Sequence, residues 1–146
     1  MPPVCAEVPS HGAAPALVCV DPARVDEVWP HVAALIAAAM RRGGLGEVAD
    51  VARGLHDGAA LLWLAWDGKR IVAAAATELA CVNGEKLCTI LACGGAGFAR
   101  FGHLIGGLER YARAEGCVRI RICGRKGWVR VLPDYAIRRV IIEKNL

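Results

Sequence analysis

Two dipeptides, Asp67-Gly68 and Asn83-Gly84, constrain this chain more than any other feature. Each supplies the positive backbone angles that a tight hairpin turn requires. Around them lie three apolar runs, Leu61–Trp66, Arg70–Cys81 and Lys86–Cys93. Three strands joined by two short turns form an antiparallel meander. The pattern then changes. Gly94-Gly95-Ala96-Gly97 leads into Phe98–Glu115, where Phe101, Leu104, Ile105, Leu108, Tyr111 and Ala112 recur at helical spacing. Gly116 stops that helix. Cys117–Cys123 alternates, with Val118, Ile120 and Ile122 on one side and Arg119 and Arg121 on the other. A strand, a helix and a strand in that order demand a crossover, so the strands before and after Phe98–Glu115 run parallel. The sheet is therefore mixed.

The flanks complete the order. Pro15–Val20 reads as a first strand. Asp21-Pro22 opens a helix, with Asp21 as N-cap. Val25, Val28, Trp29, Val32, Leu35, Ile36 and Met40 form its inner stripe. Pro30 lies within that stripe and predicts a kink or a split. Gly43-Gly44 ends it, and a second helix spans Gly46–Leu55. After the fifth strand come a short helix, Arg125–Leu132, a Pro133-Asp134 turn and a last strand, Ala136–Ile142. The order is β-α-α-β-β-β-α-β-α-β, an α+β (mixed α/β) fold with a central mixed sheet and helices on both faces. With 146 residues the chain holds one domain, residues 16–146, preceded by a flexible N-terminal arm, residues 1–15.

Composition narrows the class. An apolar share of 55 % excludes a disordered chain. The longest apolar run, Val32–Met40, falls short of the ~18 residues of a membrane span. The N-terminus lacks a basic stretch followed by an apolar core. Seven cysteines without a C-x-x-C pair suit a cytoplasmic chain with reduced thiols, no disulfide and no metal. Charge is uneven. Residues 1–99 carry seven Lys/Arg against ten acids, a net −3, and residues 100–146 carry eleven against four, a net +7. The basic C-terminal third, with Arg119 and Arg121 on one strand face, suits either a solvated surface or an anionic partner such as an acidic protein surface. Nucleic acid is a weaker fit, because no aromatics interleave with the basic segment.

Three features carry candidate chemistry. Glycines before a helix allow close backbone approach to an anion at the helix N-terminus. Cys93, beside that N-terminus, is a candidate thiolate. Glu78 and Glu85 are the carboxylates placed to take a proton, and Glu78 is the better placed of the two. A solvated strand carboxylate explains each equally simply. His31, His56 and His103 show no metal-ligand spacing.

The element order, the glycine-rich segment before the long helix, the stretch Gly124-Arg125-Lys126-Gly127-Trp128 and Asp134-Tyr135 resemble the GNAT superfamily of N-acetyltransferases. With the Trp29-Pro30 helix, they look closest to the GNAT-like proteins of phages and prophages. The resemblance implies acetyl-CoA as cofactor, held by Cys93, Gly94, Gly95, Ala96, Gly97 and Phe98, with Glu78 as catalytic base and an unidentified amine as acceptor. The superfamily motif opens with Gln or Arg where this chain has Ala92. The position of the usual tyrosine acid falls near Arg130, which stays charged. The resemblance also implies a second expectation: a non-catalytic GNAT-fold structural or interaction protein of a phage particle. In that case it contacts other phage structural proteins and resides in the virion.

Overall fold

The computed structural model describes residues 15–43, 46–97 and 102–146. The chain forms a five-stranded sheet in the order β1-β2-β3-β4-β5. The strands are β1 (Ala16–Cys19), β2 (Ala60–Trp66), β3 (Ile71–Val82), β4 (Glu85–Gly95) and β5 (Arg119–Ile122). The first four are antiparallel and β4 pairs parallel with β5. The crossover expected from the sequence is thus present, carried by α3 (Leu104–Ala114). Residues 98–101, the expected start of that helix, lie outside the described residues, as does most of the N-terminal arm.

Two helices, α1 (Val25–Gly43) and α2 (Val48–Asp57), cover one face of the sheet. Val32, Ile36, Met40, Val51 and Leu55 pack on Leu62, Leu64, Ala74, Ala76 and Ala92. The other face carries α3, with Ile105 and Leu108 against Trp63, Ala75 and Ile90. Burying each large aliphatic side chain contributes roughly 1.5–3 kcal/mol. The centre of β3 is a run of four buried alanines, Ala73–Ala76, so both helix layers lie close to its backbone. Of the two tryptophans in β2, Trp63 is the buried one, and its indole N–H donates to the buried Thr77 hydroxyl at 2.9 Å.

Asp21 caps the first turn as expected, its Oδ1 accepting from the Ala23 N–H at 2.9 Å. That turn is a short 3-10 segment, Pro22–Arg24, leading directly into α1. Pro30 neither splits nor ends α1. It deprives only the Asp26 carbonyl of a partner, and both residues are exposed, so water replaces the lost bond. The Asn83-Gly84 turn is a two-residue hairpin, with φ of 51° and 80°. The Asp67 turn is wider than expected. Asp67 Oδ1 accepts from the Lys69 and Arg70 N–H groups, both at 2.9 Å, and stretches the loop to Asp67–Arg70.

Three expectations need correction. β4 runs to Gly95 rather than ending at Cys93, because Gly94 and Gly95 pair with Ala74 and Ala73. The short helix is one turn, α4 (Trp128–Val131). The last strand, Ala136–Ile142, does not form. Residues 136–146 are exposed and belong to no strand. Strand propensity alone does not make a strand; a partner edge must also be in reach, and the tail pairs with none among the described residues.

Candidate functional site

The sheet breaks register twice, at Ala65/Trp66 between β2 and β3 and at the middle of β4; the second break lies beside the parallel pair. Ala76 pairs with Ala92 but Thr77 pairs with Ile90, which leaves Leu91 as an extra residue. This is a β-bulge, which bends its strand and leaves the extra residue out of the ladder. The pairing of β4 with β5 ends at the same place. Its last register pair is Ile90 with Ile122, and the Cys123 N–H donates to the Ile90 carbonyl at 3.1 Å. Beyond that point β5 turns away, and Gly124-Arg125 crosses the end of α1 at Gly43. β4 continues alone on that side through Leu91–Gly95. The two parallel strands thus part in a wedge, with a free stretch of β4 backbone along one wall.

The glycines at the end of β4 have separate reasons to be glycine. A Cβ on Gly94 would lie 2.8 Å from the Leu35 carbonyl oxygen of α1. One on Gly95 would lie 2.5 Å from the Val72 carbonyl oxygen. Both are required by packing. Gly97 differs: its φ is +75° and nothing stands within 4 Å of an added Cβ. It faces open space beyond the end of β4. The Ala96 N–H is already used, donating to Val72 at 3.1 Å. The expected cofactor loop therefore divides. Cys93, Gly94 and Gly95 belong to the sheet, Ala96 is tied to β3, Gly97 is open and Phe98 lies outside the described residues.

Cys93 is set in the core rather than presented as a thiolate. Its side chain packs with Trp63 and Leu104 in the core on the α3 face, and burial pushes its thiol up to about 12. Burial likewise pushes Cys88 up to about 11, with Cys117 adding to the shift. Both stay protonated at neutral pH. The six cysteines among the described residues are all free thiols. No group of three or more His, Cys, Asp or Glu among the described residues could hold a metal ion. No described helix is long and apolar enough to cross a membrane.

Glu78 lies opposite Thr89, and Thr89 opposite Arg121, so the three form one row across β3, β4 and β5. Arg121 Nε donates to the Thr89 hydroxyl at 2.9 Å. The row ends one residue short of the point where β4 and β5 part. On its other side Glu78 lines a cleft of about 480 Å³. This cleft opens where β1 has left the sheet and β3 runs on past the start of β2. Asp21, Glu78 and Glu115 supply its charged groups, with Thr77, Leu61 and Tyr111 among its walls. Glu115 also stands 3.6 Å from Lys86 Nζ.

Tyr111 packs against Trp63 in a tilted arrangement, with ring centroids 4.8 Å apart and planes at 59°. Burial, followed by the nearby Glu115 carboxylate, raises its phenol above the usual range, so it remains a hydrogen-bond donor. Tyr135 is a packing residue: it joins the α3-face core and its hydroxyl donates to Glu109 Oε1 at 2.9 Å.

The arginines of β5 share an exposed face as expected, yet both are engaged within the chain. Arg119 pairs with Glu85, and Arg121 bonds to Thr89. Glu85, the lesser base candidate, is thereby committed to an ion pair.

The sequence reading missed the Leu91 bulge, the Thr77–Trp63 bond and the place of Tyr111 in the cleft. Thr77 and Thr89 carried the one available signal. Each is an uncharged polar residue within a mostly small or apolar stretch of its strand.

No family model matches this sequence, and no curated protein matches it. Solved structures do. A GNAT family acetyltransferase of Staphylococcus aureus superposes with a TM-score of 0.62 at 12 % identity, covering 92 % of this chain and 100 % of that one. An aminoglycoside acetyltransferase from an uncultured soil metagenomic sample gives 0.65 at 12 %, covering 90 % and 95 %. A Trypanosoma brucei acetyltransferase gives 0.62 at 14 %, covering 90 % and 99 %. The chain has the fold of the GNAT acetyltransferases.

Proposed function

We propose that this protein is an acyl-CoA-dependent N-acyltransferase. The observation that carries the reading is the wedge between β4 and β5, opened at the Leu91 bulge in a sheet with the GNAT fold. A free edge of extended backbone pairs with an extended ligand as it would with a strand. The pantetheine arm of coenzyme A is such a ligand, with two amides along a narrow chain. The residues fit it: Leu91–Gly95 supply the backbone edge, and Gly97, with open space around it, precedes the N-terminus of α3, where a pyrophosphate is favoured. Acetyl-CoA, when bound, supplies an acyl group activated as a thioester.

The acceptor side is acidic. Asp21, Glu78 and Glu115 around one cleft attract a protonated amine. Glu78 then takes the proton that the amine must lose before it attacks. Glu78 stands across β4 from the wedge, about 10 Å at the usual strand spacing, so it acts through water.

Titration calorimetry with acetyl-CoA tests the reading. Micromolar affinity is expected, and no heat at millimolar ligand overturns it. With an accepted amine in hand, Glu78→Gln lowers kcat by about 100-fold or more and leaves coenzyme affinity unchanged. One observation favours a second reading, a non-catalytic interaction protein such as the phage-particle subunit the resemblance implies. Every large hydrophobic residue exposed among the described residues lies after Cys117. The same titration separates the two.

A further inference from the structure

The exposed apolar residues fall into a pattern with β5. Ile137, Val140, Ile141 and Ile142 are 51, 64, 54 and 93 % exposed. They occupy a β-branched run, Ala136–Ile142, that has strand-forming residues and no strand partner. β5 is the terminal strand of the sheet, so its outer edge carries unpaired N–H and C=O groups. Among the described residues, one chain therefore holds both an edge lacking a strand and a segment lacking an edge, and it does not join them.

We propose that two copies of this protein join them by exchange, with Val140–Glu143 of each adding to the β5 edge, Arg119–Ile122, of the other. A two-fold axis relates the pair, and each copy donates one strand and receives one. Charge selects the direction. Val140 and Ile142 belong beside Ile122 and Ile120, which extends the apolar face under α3. In the antiparallel register this sets Glu143 opposite Arg119 and Ile141 opposite Arg121. The parallel register would set Arg139 opposite Arg119, and like charges directly opposite destabilise a strand pair. The antiparallel form brings Val140–Ile142 into the sheet and gives Arg119 a second carboxylate besides Glu85. The exchange is independent of coenzyme binding, so it stands or falls apart from the acyltransferase reading.

Sedimentation equilibrium of the full chain across the micromolar range tests the proposal. The expected mass is twice 15.4 kDa. Val140→Pro removes an N–H from the exchanged strand and weakens dimerisation by at least ~100-fold, while the monomer keeps its circular dichroism and melting temperature. Val140→Ala, which keeps the N–H, retains the dimer. Glu143→Arg weakens it by about 10-fold, less so at high salt. A full chain that stays monomeric at every concentration overturns the proposal. So does a Val140→Pro protein that dimerises as tightly as the parent. Protection of the 137–142 amides against hydrogen exchange in a monomer would place the tail on its own β5 edge and also overturn it.

Discussion

β3 and β5 stand at opposite extremes of one sheet. β3 has a strand on each edge, helices on both faces and alanines at its centre. β5 is four residues long, has one paired edge and turns two arginines to solvent. The difference separates what holds the molecule together from what leaves it open. The residues through Gly95 bury most of the core. The residues after Cys117 contribute the parting of the strands, the exposed arginines and the uncovered apolar tail.

The largest test of that contrast is Gly95→Val. The new side chain would meet the Val72 carbonyl and Ala73, and backbone cannot move aside cheaply. A loss of about 3 kcal/mol or more is expected in urea unfolding. An unchanged midpoint would mean that β3 and β4 are less tightly joined than their register implies. The same packing argument makes Gly95 unsuitable for testing coenzyme binding; Gly97→Ala, in open space but at a positive φ, is the better probe.

Next comes Thr77→Val, which leaves the buried Trp63 indole N–H without its acceptor. A loss of about 1–3 kcal/mol is expected, again read from urea midpoints. Retained stability would show that the indole finds another partner.

A pH series sharpens the comparison further. Cys93 and Cys88 titrate higher in the folded chain than their ordinary value of 9.0. Their contribution is complete below about pH 9, where the thiols of the unfolded chain are also protonated. It is lost as pH rises toward about 11 for Cys88 and about 12 for Cys93. The melting temperature should therefore fall above pH 9, and Cys93→Ala should flatten that fall. An equally steep fall in Cys93→Ala would exclude this thiol as a cause.

The smallest effect belongs to β5. Arg119→Ala breaks an ion pair whose members are about half exposed, so dilute monomer should lose no more than ~1 kcal/mol. A larger loss in thermal melts would show β5 to be part of the stabilising body after all.

What the sequence made legible follows the same division. The Asn83-Gly84 turn, the α1 stripe and the strand-helix-strand crossover were readable because local chemistry and long-range packing agree there. Glycines read as a loop at 94 and 95 because they are poor strand formers, but close approach by α1 and β3 keeps them in the sheet. The Leu91 bulge left no mark in a continuous apolar run. The Ala136–Ile142 strand was over-read because propensity names a segment's preference and not its neighbour. Of the candidate site, Glu78 was singled out from its place in the meander, and it lines the cleft beside β3. Tyr111 was hidden, since a half-buried phenol at helical spacing looks like any other core residue.

The alanine run Ala73–Ala76 has a consequence for how this protein can vary. Each of these side chains is nearly at the lower limit of size, and each sits under a helix layer, so neither deletion nor growth offers much room. Growth to valine would force helix and sheet apart at typically ~1–3 kcal/mol per site, and shrinkage to glycine would loosen the strand itself. Tolerated change is therefore pushed outward, to the turns, the helix exteriors and the last thirty residues. A library of random substitutions should return a map in which the centre of β3 is nearly blank and the perimeter is crowded.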